Sequence, residues 1–300
     1  MKIVSWHCNG FNIEKYNELL RYKPMILLIQ GCTKNEFDIV KMDIDKERKV
    51  FFHNVDEAVK ALLDGIPLKT DSNNTTFQNR PPSIIMEEKF HINKFQHWYG
   101  DNVEENDKGT AIFSPTNLYN IELVDNYNNE FRYVIPYNIS FIKTESQVGL
   151  EFFENVEYIL LSIWLKPTSD RSLNYQNDLF DALDYYNFDK PIILVGDFNT
   201  GSNKNEIHRY EELNKKLEKY GLKNCAEKTE FEYEATCFHD KAQDYYINDF
   251  CFIPNDFTVH KVFIDKMDAK KTEQKFSCHY PIVVDFSGLA ENLFEKKIGH

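Results

Sequence analysis

Pro191-Ile192-Ile193-Leu194-Val195-Gly196-Asp197-Phe198-Asn199 is a run of four aliphatic residues that ends on a carboxylate and an amide. Ile192 to Val195 have no polar face, so they read as a strand covered on both sides. The flanking segments Leu173 to Tyr186 and Asn205 to Tyr220 have helical spacing, and the second ends at Gly221, a suitable C′ residue. Helix, buried strand and helix in succession describe a sheet with helices on its surface, and the strand delivers Asp197 and Asn199 to its end.

Further out, Lys2 to Trp6 reads as a strand, Asn9-Gly10 as a turn, and Ile13, Tyr16, Leu19 and Leu20 as one face of a helix. Met25 to Gln30 is a second buried strand, and Glu36 to Val40 a short helix or turn. Thr110 to Phe113, Leu118 to Val124, Phe131 to Asn138 and Tyr158 to Leu165 follow as strands separated by turns, in the manner of a β-meander. Tyr246 to Ile253 and Pro281 to Phe286 supply two late strands. The Gly, Pro, Ser, Thr and Asn content from Asp64 to Asn79, closed by Arg80-Pro81-Pro82, marks a surface insertion at about residues 60–90. The expected organisation is one α+β domain over residues 1–300.

A chain of 300 residues that is 42% apolar and 15% aromatic fills a substantial core, which rules out general disorder. Its formal charge of −13 repels polyanions at long range, so any grip on nucleic acid has to be local. The longest apolar runs are strand-sized, far below the roughly 20 residues of a membrane-spanning helix. Met1 to Cys8 lacks the apolar block of a secretory signal, which points to the cytoplasm. The six cysteines show no C-x-x-C pair, and Cys251 stands inside an apolar run, where a thiol behaves as a small hydrophobe. A disulfide framework is not expected.

Five segments taken together carry a resemblance: Ser5-Trp6-His7-Cys8-Asn9-Gly10, Leu28-Ile29-Gln30-Gly31, Gly196-Asp197-Phe198-Asn199, Asn248-Asp249-Phe250 and Ser277-Cys278-His279-Tyr280-Pro281. Each is weak alone, but in this order they resemble the endonuclease/exonuclease/phosphatase superfamily, over nearly the whole chain apart from the insertion. The resemblance implies a four-layer α-β-β-α sandwich, DNase I-like, and divalent-metal-dependent hydrolysis of phosphoric esters. Such chemistry needs a charge-neutralising Mg²⁺ or Mn²⁺, an oriented water and donors to the phosphate. By resemblance, Asp197 orients or deprotonates the water, Asn199 is a phosphate and metal-shell amide, His279 contacts the scissile phosphate, and Asp249 holds that imidazole in one tautomer. Asn9 matches an accessory position that serves metal and substrate.

Three positions depart from the pattern. Gly31 stands where the family has a metal-coordinating Glu, Cys278 where it has an Asp, and His7 where it has an Asn. Strand alternation puts His7 and Asn9 on the face toward the cleft and Cys8 in the core. Loss of hard oxygen ligands predicts an impaired Mg²⁺ or Mn²⁺ site and a possible pseudoenzyme, either a slow hydrolase or a protein that binds a phosphoester ligand or partner without cutting it. A soft site for Zn²⁺ at His7 and Cys278, completed by Asp249 or His279, is the alternative; tight metal binding is not expected. Trp98-Tyr99-Gly100 and Trp164 are candidates for core or cleft wall, and Lys270-Lys271 for one phosphate contact. DNA, RNA, a lipid headgroup and a soluble phosphoester all fit this reading, and oligomeric state is not legible.

Overall fold

The computed structural model of the chain describes residues 1–8, 10–46, 95–100, 108–116, 119–141, 157–166, 175–203, 208–227, 229, 234–239, 244–266 and 278–288. Asn9, the expected insertion and Lys270-Lys271 lie outside the described residues. In chain order the strands are β1 (Lys2–His7), β2 (Ile26–Thr33), β3 (Phe95–Gly100), β4 (Lys108–Ser114), β5 (Tyr119–Leu123), β6 (Val134–Phe141) and β7 (Glu157–Trp164). They continue with β8 (Ile192–Asn203), β9 (Leu222–Asn224), β10 (Cys237–His239), β11 (Asp244–Pro254), β12 (Thr258–Ile264) and β13 (Ile282–Ser287). The helices are α1 (Ile13–Leu20), α2 at residues 34–46, α3 (Tyr175–Tyr186) and α4 (His208–Glu218).

One sheet has the order β12-β13-β1-β2-β4-β3 and the other β10-β11-β8-β7-β6-β5, with β9 also along β11. The parallel pairs β1–β2 and β7–β8 need crossover connections, and these contain α1 and α3. Alternation along each central strand builds three apolar layers. Ile3, Ile26, Leu28, Leu160, Ile193, Val195 and Cys251 meet between the sheets. Val4, Trp6, Leu27 and Ile29 turn outward against Tyr16 and Leu19 of α1 and Phe37 and Val40 of α2. Leu194, Phe198, Phe250 and Phe252 turn the other way, against Leu179 and Leu183 of α3 and Leu213 and Leu217 of α4. The result is the expected α-β-β-α sandwich.

Several local readings change. Residues 110–113 are not part of the meander: β5, β6 and β7 form one, whereas β4 pairs antiparallel with β2 in the other sheet. A strand buried on both faces carries no alternation to say which sheet owns it. The expected short helix or turn at Glu36 to Val40 is the longer α2, started by a capping box in which Thr33 Oγ1 accepts the Glu36 amide at 3.2 Å and Glu36 Oε2 accepts the Thr33 amide at 2.8 Å. Strands β3, β9, β10 and β12 went unread, two of them being only three residues long. Gly196-Asp197-Phe198-Asn199 lies within β8, which runs on to Asn203.

Candidate active site

Strands from both sheets deliver the site: β1 and β2 from one, β8, β10 and β11 from the other, with Cys278 and His279 just ahead of β13. Trp6 of β1 and Cys8 just past its end are buried in the outer layer, so His7 is directed between the sheets, as the alternation predicts. Phe198 and Phe250 likewise turn outward, which sends Asp197 and Asp249 inward. Asp197 and Asp249 are direct cross-strand partners in the β8–β11 ladder, each only 2% exposed. Two carboxylates in that position repel each other unless each has its own counterpart. The histidines supply this: His7 Nδ1 lies 2.8 Å from Asp197 Oδ2, and His279 Nδ1 lies 2.8 Å from Asp249 Oδ2. The two imidazoles face each other with ring centroids 4.3 Å apart.

The remaining expected residues support this arrangement in different ways. Asn199 adopts φ +47°, a conformation Asn tolerates, and its backbone N–H donates to Asp197 Oδ1 at 2.8 Å. Both Asp197 oxygens are therefore engaged. Burial alone raises the Asp197 carboxyl, but the His7 bond and the nearby His279 outweigh it and hold the carboxyl below its usual range. Burial pushes the Asp249 carboxyl up. His279 is disfavoured as a cation by its burial, yet Asp249, Cys278 and Asp197 together raise it well above the ordinary imidazole value.

Gly31 explains the position of His7. It has φ +76° at an irregularity in the β2–β4 register between Gln30 and Cys32. A Cβ on residue 31 would lie 2.8 Å from both Cδ2 and Nε2 of His7. The His7 ring thus occupies the space into which a side chain at 31 would project, and the two residues form one packing unit.

Cys278 is exposed at the edge of the site, beside a partner the sequence reading missed. The sulfurs of Cys237 and Cys278 and a ring nitrogen of His279 all lie within 4.8 Å of one another. Cys237 arrives through strand pairing: it bridges His279, while the Phe238 amide donates to the Cys278 carbonyl at 2.8 Å and the Tyr280 amide to the Thr236 carbonyl at 2.7 Å. Bonds from the Cys237 thiol and the His279 imidazole pull the Cys278 thiol down to about 4, and the same contact pushes the Cys237 thiol up. Thr236, also unread from sequence, accepts the amides of Asn248 and Asp249 at 2.9 and 3.0 Å.

Of the aromatic candidates, Trp98 belongs to the outer core and donates to the Cys32 carbonyl at 3.1 Å. Trp164 borders the site, edge-on to His7 at 5.7 Å, with Lys166 Nζ 5.5 Å from its ring. A hard-ion site does not fit this donor set. No carboxylate stands at 31 or 278, both Asp197 oxygens are taken by His7 and the Asn199 amide, and Asp249 is held through Oδ2 by His279, which leaves its buried Oδ1 as a single hard donor, too few for Mg²⁺.

No protein-family model matches the chain, and no curated protein matches it in sequence. Solved structures do match. A 3′ phosphatase from Neisseria, bound to a product DNA hairpin, is 15% identical with a TM-score of 0.53, over 96% of this chain and 99% of that one. An AP endonuclease from Archaeoglobus fulgidus is 13% identical with a TM-score of 0.55, and a mannosyl-6-phosphatase from Bacteroides thetaiotaomicron 12% identical at 0.53, each over 96% of this chain and 99% of its own. Identities this low speak for architecture alone. The chain has the α-β-β-α sandwich fold of the endonuclease/exonuclease/phosphatase superfamily.

Proposed function

We propose that the chain is a phosphoric ester hydrolase scaffold whose Mg²⁺- or Mn²⁺-dependent turnover is disabled and whose phosphate-recognising residues remain. The observation that carries this reading is the His7 ring, which fills the space beside Gly31 and is bonded to Asp197. A hydrolase of this type uses the bound metal to neutralise charge on the phosphate. Here a ring takes the room of the missing ligand, and the carboxylate assigned to the attacking water by resemblance is committed to that ring. Losing several kcal/mol of transition-state stabilisation lowers the rate by orders of magnitude, at about 1.4 kcal/mol per decade.

The second reading, a phosphoester-binding protein without turnover, rests on the same two imidazole–carboxylate pairs: His279, the phosphate-contacting position by resemblance, stays held by Asp249, while positions 31 and 278 carry no carboxylate for a metal. Both readings share one test. Hydrolysis of bis(4-nitrophenyl) phosphate in Mg²⁺ is compared between the native protein and the His7→Asn/Gly31→Glu/Cys278→Asp triple variant. The triple change is needed because Gly31→Glu alone would meet the His7 ring. The variant is expected to be at least about 100-fold faster, equivalent to some 2.7 kcal/mol; equal rates overturn the proposal.

A further inference from the structure

We propose that Cys237, Cys278 and His279 form a binding site for a borderline-soft divalent cation, Zn²⁺ above all, at the edge of the cleft. The inference is independent of the phosphoester reading, since metal uptake is measured without substrate. Two thiol sulfurs and an imidazole nitrogen already lie within 4.8 Å of one another. Thiolate and imidazole are the donors that select Zn²⁺ over Mg²⁺, and three protein ligands of this kind leave a fourth tetrahedral position for water or an oxyanion.

The backbone brings the three donors together before any ion arrives. The Cys237–His279 bridge and its two flanking hydrogen bonds clamp residues 236–238 against 278–280, so closing the site needs side-chain rotation rather than chain movement. His279 is fixed a second time by Trp6, whose Nε1–H donates to its carbonyl at 2.9 Å. The bond from Nδ1 to Asp249 supplies the carboxylate partner that metal-bound imidazoles characteristically have, and it assigns Nε2 as the ligand nitrogen. Cys237 and His279 are buried and Cys278 is exposed, which gives the ion a route in past Cys278. On binding, each sulfur coordinates as thiolate and His279 Nε2 as a neutral imidazole nitrogen, and the protons displaced from sulfur and from Nε2 pass to the buffer while Nδ1–H keeps its bond to Asp249.

The test loads the full-length reduced protein with Zn²⁺, or with Co²⁺ as a spectroscopic probe, followed by exhaustive dialysis against metal-free buffer containing a phosphine reductant. About one equivalent of Zn²⁺ is expected to remain, and the Co²⁺ form is expected to show thiolate-to-metal charge-transfer absorption in the near ultraviolet. That absorption should weaken in Cys237→Ser and in Cys278→Ser, and Asp249→Asn should lower affinity by about 10- to 100-fold. Cys278→Ser alters an exposed position, so it remains informative if the buried Cys237→Ser protein fails to fold. Three results overturn the proposal: no retained metal, a Co²⁺ spectrum without a thiolate band, or uptake unchanged in Cys278→Ser. A Cys237–Cys278 disulfide that persists in reductant and excludes the metal also counts against it.

Discussion

Alanine at position 31 tests whether Gly31 and His7 are one packing unit. At φ +76° an L-residue carries left-handed strain of about 1–2 kcal/mol. Its Cβ would also lie 2.8 Å from two atoms of the His7 ring. Ordinary carbon contacts are nearer 3.5–4.0 Å, and overpacking of this kind adds about 1–3 kcal/mol. Gly31→Ala should therefore lose about 2–5 kcal/mol in the native background. His7→Ala should lose about 1.5–3 kcal/mol by removing a hydrogen bond to a charged group and leaving the buried Asp197 carboxylate short of a partner. Without the ring, alanine at 31 meets the backbone strain and a 3.3 Å contact with the Cys8 carbonyl oxygen, which are common to both backgrounds. The double variant should then be about 1–3 kcal/mol more stable than the two single losses predict together. Urea unfolding of the four proteins, with unchanged denaturant slopes, measures the coupling. Additivity within about 0.5 kcal/mol would refute the packing argument.

Other outcomes follow from the same geometry. His279 has a raised folded-state value, so its contribution to stability is fully present below about pH 6.5 and is lost as pH rises through that higher value. Relative to His279→Gln, native stability should fall with a slope of up to about 1.4 kcal/mol per pH unit across that window, and parallel unfolding curves would contradict this. Gly196→Ala would place a Cβ 1.9 Å from the Ile163 carbonyl oxygen in the parallel β7–β8 pair, so it should lose more than about 4 kcal/mol or fail to fold. A melting temperature near native would show that the strands can separate locally. With its thiol pulled down to about 4, exposed Cys278 should alkylate with iodoacetamide at a nearly constant rate from about pH 5.5 to 8. A tenfold rise per pH unit, read by peptide mass spectrometry, would show an ordinary thiol.

Central strands and their cargo were legible because alternation is a local property. Once Ile193 and Val195 face one way, Asp197 must share that face, and the same argument places His7 against Cys8. The order of the five segments then pointed to the sandwich that the strand pairing shows. What escaped was non-local. Cys237 and Cys278 are far apart in sequence, and only the short β10 bridge brings them together. Sheet ownership of β4 was hidden by its burial on both faces. The His7–Gly31 contact is a steric complement between two parallel strands, visible only once their register is known.

His7 belongs to one sheet and Asp197 to the other, and His279 sits where the chain passes from its bridge with β10 into β13. An occupant that grips both imidazole–carboxylate pairs therefore acts as a rivet through the two halves of the sandwich, and its binding energy is delivered to global unfolding rather than to a local loop. At a concentration 100 times its dissociation constant, such a molecule adds about 2.7 kcal/mol. For a protein of this size that is several degrees of melting temperature, large enough for a thermal-shift panel of metals and phosphorylated compounds to identify the natural occupant without any assay for turnover.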